Sequence, residues 1–330
     1  MQQILNQLFE HQHLNKEQAR EILINIANQQ YNPSQVAAFI TVFLMRSVSV
    51  EELEGFREAL LELCIKVDFS DFNTIDLCGT GGDGKNTFNI STLSSFVVAG
   101  AGYKVAKHGN YGVSSVSGSS NVLEHLGFKF TNDTDLLKKQ LDTANISFLH
   151  APLFHPAMKT VAPIRKELGV KTFFNMLGPL VNPSQPQNQI VGVFDLKVMR
   201  LYHYIHQGLD KNYMIIHSLD GYDEISLTSP FKMIGNTKEE IMEPESMGFD
   251  TLKQHEITGG SSIEDAAKTF MNVLNDKATD AQKNVVIANS AMAINCIQPE
   301  SSIEDCINQA ESSIESGKAL KSFKTLLSIN

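Results

Sequence analysis

The sequence predicts an α/β protein that begins with a small all-α domain. Three observations support this prediction. The first 67 residues contain only amphipathic helical segments, three of them with their own start signal. From residue 74 onward, short apolar strands alternate with helices, which is typical of a mainly parallel central sheet flanked by helices. Two loops rich in Gly, Ser, Thr and Asn follow the first two strands, where open α/β sheets bind ligands.

Residues 1–67 are predicted to be helical throughout. Apolar residues recur at helical spacing, and Asn15, Asn32 and Ser49 stand where helix N-caps belong. Four short helices enclose little apolar surface by themselves. We therefore expect them to pack on a later segment within residues 155–183, on a partner subunit, or on both. In either case residues 1–67 form an N-terminal helical domain suited to dimerisation.

Residues 68–330 are predicted to form the α/β catalytic domain. Its strands are short apolar runs, and the helices repeat apolar residues at every third or fourth position. Strands are predicted at 74–77, 103–106, 146–149, 190–194 and 213–217, and helices at 91–101, 119–126, 133–144, 155–169, 262–275, 280–297 and 302–317. Residues 171–183 are expected to form a short helix and a turn.

The composition limits the kinds of partner. The chain has 330 residues and a net charge of −10, which argues against a nucleic-acid polymer as the ligand. No stretch approaches the ~18 apolar residues of a membrane span, so no membrane partner is expected. The four cysteines form no C-x-x-C pair, and the N-terminus lacks a signal-peptide pattern. These features predict reduced thiols in a cytoplasmic protein.

The stretch from Asp76 to Gly127 contains the strongest functional signal. Its two polar loops each follow a strand and precede a helix, and no Asp or Glu occurs from Gly84 to Leu123 although the whole chain is acidic. Backbone N–H groups at helix N-termini favour anions. We therefore expect a site for a multiply phosphorylated small molecule. The alternative, two tight turns in an α/β fold, requires far fewer glycines and hydroxyls.

The segment from Gly79 to Gly84 fits the letters G-x-G-x-x-G, but its context argues against a dinucleotide site. Residues 86–90 separate the last glycine from the helix, and no acidic residue stands ~20 positions further on to bind a ribose. The chain also lacks a Walker A sequence. A different phosphate-binding family is therefore indicated.

Several motifs together resemble those of the anthranilate phosphoribosyltransferase family. They are Asp76-Leu-Cys-Gly-Thr-Gly-Gly-Asp-Gly84, Thr87-Phe-Asn-Ile-Ser-Thr92, Lys107-His-Gly-Asn110, Ser114-Ser-Val-Ser-Gly-Ser119, Val122-Leu-Glu124 and Arg165-Lys-Glu-Leu-Gly-Val-Lys-Thr-Phe-Phe-Asn-Met-Leu-Gly-Pro-Leu-Val-Asn-Pro183. The resemblance implies a nucleoside phosphorylase/phosphoribosyltransferase-like architecture and a homodimer. It also implies that anthranilate and phosphoribosyl diphosphate (PRPP) are converted to N-(5-phosphoribosyl)anthranilate and diphosphate, in tryptophan biosynthesis, with two magnesium ions per monomer.

The resemblance assigns the substrate-binding residues position by position. For PRPP they are Gly79, Gly82, Asp83, Thr87, Asn89, Ile90, Ser91, Thr92, Lys107, His108, Gly109, Asn110, Ser114, Ser115 and Ser119, and for anthranilate they are Gly79, Asn110 and Arg165. The residue types suit these roles, because hydroxyls and N–H groups bind phosphate oxygens and an Arg fork matches a carboxylate. None is assigned as a general acid, base or nucleophile. Lys107 and Arg165 have the alternative of being solvated surface residues, and His108 and His155 either line the anthranilate pocket or bond within their loops.

The implied metal ligands are the Ser91 hydroxyl and the adjacent carboxylates of Asp223 and Glu224. These two are the only acids between Asp220 and Glu239. Magnesium takes hard oxygen ligands, usually one or two carboxylates together with substrate phosphates. The alternative is a solvated acidic loop.

Two positions depart from the family pattern. Tyr111 stands where the family usually has Arg, and Asn121 stands where it usually has Asp. The second enzyme hypothesis is a pyrimidine nucleoside phosphorylase, which needs neither the metal-binding acid pair nor an anthranilate-binding Arg165. A catalytically silent paralogue that binds a phosphosugar or nucleic acid is a hypothesis of another class.

Overall fold

The computed structural model describes residues 1–112 and 117–329. The α-helices are α1 (Gln2–Phe9), α2 (Lys16–Ala27), α3 (Pro33–Met45), α4 (Val50–Leu63), α5 (Ile90–Gly100), α6 (Ser119–His125), α7 (Thr134–Ala144), α8 (Ala151–Phe154), α9 (Pro156–Leu168), α10 (Leu196–Gln207), α11 (Ile263–Leu274), α12 (Asp280–Ile297), α13 (Ile303–Glu315) and α14 (Lys318–Ser328). The strands are β1 (Thr74–Gly79), β2 (Lys104–Gly109), β3 (Ile146–His150), β4 (Asn188–Gly192), β5 (Asn212–Ser218), β6 (Phe231–Gly235) and β7 (Glu239–Met242).

The chain divides into two compact units. One comprises Met1–Val67 and Ala151–Gln185, and the other comprises Asp68–His150 and Pro186–Asn330. The first contains helices alone, whereas the second contains the sheet and its flanking helices. The predicted fold class, an α/β protein with a small helical N-terminal domain, is confirmed. Within the described part of the chain, no helix is both long and apolar enough to cross a membrane.

The helical unit begins with the helix caps that the sequence predicts. Asn15, Asn32 and Ser49 each accept the backbone N–H of the third helical residue, whose side chain in turn accepts the N–H of the cap. Its core is aromatic. The ring of Phe56 stacks on that of Phe173 at 4.5 Å between centroids, so the short 3-10 helix Phe173–Met176 packs on the N-terminal helices.

The α/β unit is built on a seven-stranded sheet in the order β3-β2-β1-β4-β5-β6-β7. The first five strands in this order are parallel, and β6 and β7 complete the sheet as antiparallel strands. Every predicted strand and helix of this unit is present within three residues of its expected bounds. The strands β6 and β7 and the helices α10 and α14 were not predicted.

The strand order places the two polar loops at one edge of the sheet. Strand β1 pairs with β2 on one side and with β4 on the other, so the chain order reverses at β1. Gly79 at the end of β1 is the register partner of Gly192 at the end of β4. In open α/β sheets, ligands bind outside the carboxyl ends of the strands at such a reversal.

Candidate active site

The Asp223 carboxylate lies against the carboxyl ends of β1 and β4. Its Oδ2 accepts the backbone N–H of Gly81 at 2.6 Å. Glycine is required at both strand ends for this approach, because a Cβ on Gly79 would lie 2.5 Å from Oδ2 and one on Gly192 would overlap the Asp223 carbonyl oxygen. The two glycines therefore allow the backbone and side chain of Asp223 to contact the sheet edge at the point where the strand order reverses.

The neighbouring Glu224 contacts the helix that follows the first polar loop. Its Oε1 accepts the backbone N–H of Ser91 at 3.0 Å, and its Oε2 lies 3.5 Å from the Thr87 hydroxyl. Ser91 belongs to the first turn of α5, where the helix dipole favours a negative charge. The structure thus brings the predicted acid pair together with Thr87 and Ser91. Both residues are predicted to bind PRPP, and Ser91 is also predicted to bind the metal.

Burial and neighbouring carboxylates disfavour the ionised forms of the acid pair. Burial and the nearby Asp83 carboxylate raise the pKa of Asp223 to about 7. Burial and the Asp223 carboxylate raise the pKa of Glu224 well above its usual range. A solvated acidic loop is wrong, because Asp223 is only 8% exposed. Crowded hard oxygen ligands of this kind fit a magnesium ion, which would offset their repulsion.

The first polar loop has the backbone freedom that its glycines suggest. Gly81, Gly82 and Gly84 have φ angles of 65°, 76° and 76°, a backbone region that residues with a Cβ rarely adopt. The Asn89 amide donates to the Ser117 carbonyl at 2.9 Å and so joins the first loop to the second. The following residues assigned to PRPP, Ile90 and Thr92, are buried at the start of α5.

The Lys107 ammonium lies inside the unit, not in solvent. Lys107 is 2% exposed, and its Nζ donates to the Leu77 carbonyl at the end of β1. Burial lowers its pKa, and the charge of Asp76 opposes that shift. A solvated surface lysine is therefore wrong. Direct contact of Lys107 with a phosphate stays a prediction, as does a PRPP contact of the buried His108, whose backbone N–H donates to Asp76.

The second polar loop is closed by Asn121. Its Oδ1 accepts the backbone N–H groups of Gly112 at 2.9 Å and Gly118 at 3.0 Å. Asn121 is one of the two departures from the family pattern, and the signal for its role is its position three residues after the helix cap Gly118. Asn121 therefore ties together the two ends of a loop whose middle residues, including the predicted Ser114 and Ser115, lie outside the described residues.

The remaining residues of this loop are fixed on the start of α6. The Asn110 carbonyl accepts both the Ser119 hydroxyl and the Ser120 N–H at 3.1 Å. A Cβ on Gly109 would overlap the Phe148 ring, so glycine is required there. The second departure, Tyr111, donates its hydroxyl to Glu124 at 2.8 Å. Tyr111 therefore anchors the loop to α6 through a hydrogen bond to a carboxylate.

Arg165 and His155 lie in the helical unit. The Arg165 guanidinium donates from Nη2 to the Asn175 side chain at 3.3 Å and lies over the Phe174 ring at 5.2 Å. Burial lowers its pKa, so a freely solvated Arg165 is wrong. His155 is 3% exposed, and burial lowers its pKa to about 4, which leaves the imidazole neutral at pH 7. Whether either residue contacts anthranilate stays a prediction.

This fold and site define a glycosyltransferase. The glycosyl transferase family model for a helical bundle domain matches residues 2–64, and that for an a/b domain matches residues 71–320. The chain is 60% identical over 326 residues to an anthranilate phosphoribosyltransferase of Flavobacterium johnsoniae, covering 99% of this chain and 98% of the relative. The chain therefore belongs to the anthranilate phosphoribosyltransferase family.

Solved structures agree with this assignment. The anthranilate phosphoribosyltransferase of Saccharomyces cerevisiae in complex with PRPP and Mg superposes with a TM-score of 0.91 at 27% identity, covering 98% of this chain and 96% of that one. The same yeast protein in complex with 4-fluoroanthranilate gives a TM-score of 0.88 at 25% identity, with coverages of 98% and 96%. The expected family is thus confirmed by both sequence and structure.

Proposed function

We propose that the protein transfers the phosphoribosyl group of PRPP to the amine of anthranilate, giving N-(5-phosphoribosyl)anthranilate and diphosphate. The observation that supports this most strongly is the acid pair Asp223–Glu224 at the sheet edge, which contacts Gly81 and Thr87 of the first polar loop and Ser91 of α5. A site that combines carboxylates with phosphate-binding loops suits a diphosphate leaving group and its magnesium. Relatives named for this activity support the proposal.

The reaction is a displacement at the C1 carbon of the ribose. The C1–N bond to anthranilate forms, the C1–O bond to diphosphate breaks, and the amine proton passes to solvent. The proposed roles require no covalent nucleophile and no acid or base among the residues assigned to the site. The residues of this chain accelerate the step by positioning both substrates and by electrostatic stabilisation of the departing diphosphate.

The first polar loop and the acid pair bind the diphosphate end of PRPP in this proposal. The residues would be Gly79, Gly82, Asp83, Thr87, Asn89, Ser91 and Thr92. The metal would be held by Asp223, Glu224 and the Ser91 hydroxyl, with two ions per monomer. When magnesium is bound, the charge of the leaving diphosphate is neutralised. The ribose and 5′-phosphate would be bound by Lys107, Asn110, Ser114, Ser115 and Ser119, and the anthranilate carboxylate by Arg165.

The proposal includes a homodimer in the cytoplasm. The helical unit exposes large apolar side chains, with Phe9 59% and Met45 85% exposed, and burial of such a surface favours association. The thiols of Cys64, Cys78, Cys296 and Cys306 are free, which suits a reducing compartment. The oligomeric state and the compartment stay predictions.

The activity is tested by mixing purified protein with magnesium, PRPP and anthranilate. We expect loss of anthranilate fluorescence with release of one diphosphate for each anthranilate consumed. Omission of PRPP or magnesium should abolish the loss. Phosphorolysis of a pyrimidine nucleoside by orthophosphate, without any use of anthranilate, would contradict the proposal and favour the nucleoside phosphorylase hypothesis.

A further inference from the structure

A buried asparagine of α12 binds the backbone directly after the acid pair. Asn289 is 6% exposed, and its Oδ1 accepts the Ile225 N–H at 3.1 Å. Its Nδ2 donates to the Ile225 carbonyl at 2.8 Å and to the Val285 carbonyl of its own helix at 2.8 Å. We propose that Asn289 is a positioning residue that holds Asp223 and Glu224 in the arrangement that binds magnesium with the diphosphate of PRPP. This proposal rests on the proposed function and deepens it.

The geometry explains why one side chain can fix the acid pair. Ile225 follows Glu224 directly, and both of its backbone polar groups bond to the same amide. The amide is itself anchored to α12 through Val285, so the chain direction at the end of the acid pair is tied to a buried helix. A change at Asn289 would therefore be transmitted to the Glu224 carboxylate through the peptide backbone.

A second bond holds the same segment from the sheet. The Ser218 hydroxyl, at the end of β5, donates to the Glu224 carbonyl at 2.6 Å and accepts the Ser226 N–H at 3.2 Å. The backbone of residues 224–226 is thus bonded to the sheet on one side and to α12 on the other. These bonds fix the backbone direction at the end of the acid pair from both sides.

The space between Asn289 and the acid pair is small. A cavity of about 20 Å³ is lined by Asp223, Glu224, Ser91, Gly192 and Asn289 among others, a volume on the order of one water molecule. Truncation of Asn289 to Ala would enlarge this cavity and remove the Ile225 bonds, which lets the acid pair move away from its position at Ser91. The residue must also be neutral, because a carboxylate at position 289 would repel the adjacent acids.

The same helix offers a matched control. Asn295 donates its amide to the Ser301 carbonyl at 2.9 Å and therefore also bonds α12 to another backbone segment. It does not line the cavity beside the acid pair. Asn289→Ala removes three amide–backbone bonds from α12 and Asn295→Ala removes one, but only the first variant loses contacts that position the acid pair.

The test is a calorimetric titration of magnesium and PRPP into each variant without anthranilate, so no turnover is needed. Loss of a partner bonded directly to a metal ligand typically weakens metal binding by about 10–100-fold. Asn289 acts through the Ile225 backbone, so we expect the lower end, about 10-fold, for Asn289→Ala. Asn295→Ala should stay within about twofold of the wild type, a change worth less than ~0.5 kcal/mol. In steady-state assays, Asn289→Ala should raise the magnesium requirement and leave the KM for anthranilate unchanged.

Three outcomes decide the proposal. Asn289→Ala with wild-type affinity for magnesium and PRPP would overturn it, as would an equal loss in Asn295→Ala. If Asn289→Ala does not fold, Asn289→Ser replaces it, and a magnesium affinity unchanged by loss of the Ile225 bonds would overturn the proposal. A wild-type protein that binds PRPP without any effect of magnesium would instead remove the proposed function, which separates the two failures.

Discussion

Replacement of Arg165 by Ala should weaken the use of anthranilate much more than the use of PRPP. One guanidinium N–H is already bonded to Asn175, and the group lies over Phe174, so its orientation is fixed. Nε has no hydrogen-bond partner within residues 1–112 and 117–329, so donors remain for a carboxylate. The anthranilate carboxylate, ortho to the attacking amine, is the group that we expect these donors to bind.

The size of the effect follows from the contact that is lost. A charge-assisted contact of an Arg with a carboxylate contributes roughly 1.5–3 kcal/mol. At ~1.4 kcal/mol per tenfold, Arg165→Ala should lower kcat/KM for anthranilate by about ten- to a hundredfold. The apparent KM for PRPP should change much less. Arg165→Lys should recover only part of the loss, because an ammonium lacks the planar fork.

The assay is steady-state kinetics with each substrate varied in turn. Lys166→Ala is the matched control, since Lys166 is the next cation of the same helix and is exposed. It should behave as the wild type. Equal losses for anthranilate and PRPP in Arg165→Ala would contradict a carboxylate-binding role and assign Arg165 to the fold or to the phosphates. Unchanged kinetics would show that the residue has no part in binding.

Three further predictions concern the metal, the stability and the assembly. The double variant Asp223→Asn, Glu224→Gln should lose magnesium-dependent turnover and yet unfold at an equal or higher temperature. The second effect is expected because the raised pKa values mean that the ionised acids destabilise the fold at neutral pH. Magnesium-dependent turnover at the wild-type rate would contradict the metal assignment. His155 has a pKa of about 4 in the folded protein against ~6.5 when unfolded. Its contribution to the free energy of unfolding is therefore complete above pH 6.5 and is lost as the pH falls towards 4. Denaturant unfolding should therefore show that the free energy of unfolding falls by about 2 kcal/mol between pH 7 and pH 5. His155→Gln should reduce this fall, and the exposed control His255→Gln should not. An equal fall in both variants would count against the role of His155. Light scattering at micromolar concentration should give the mass of a dimer, and a monomer would contradict the proposed role of the exposed Phe9 and Met45.

The elements that the sequence predicts well are those defined by local chemistry. The caps at Asn15, Asn32 and Ser49 depend on residues three positions apart, and the buried parallel strands are continuous apolar runs. Strand β7, Glu239–Met242, escaped prediction because it is an exposed edge strand with two acids and no buried face. Helix α10 has a cap at Asp195 and buried residues at helical spacing, so the sequence does contain a signal for this helix.

In the candidate site, the sequence predicts the residue types but not their burial or their distant partners. The acid pair and the two loops are recognisable as residue types in short motifs. The burial of Asp223 and Lys107 cannot be recognised in the sequence, because it depends on strands distant in the chain that meet at the sheet edge. The bonds between Asn289 and Ile225 join residues that are 64 positions apart, and no local pattern indicates them. Tertiary packing therefore determines which polar residues of the sequence support the site.

The proposed position of the metal and the diphosphate can be tested by a crystal structure of the protein with PRPP and manganese in place of magnesium. We expect an anomalous manganese signal within bonding distance of Asp223 or Glu224 and of the PRPP diphosphate, beside the loop from Gly79 to Thr87. PRPP bound with its diphosphate away from this loop, or manganese bound without either carboxylate, would contradict the central claim that the reversal of strand order at β1 and β4 forms the site of phosphoribosyl transfer.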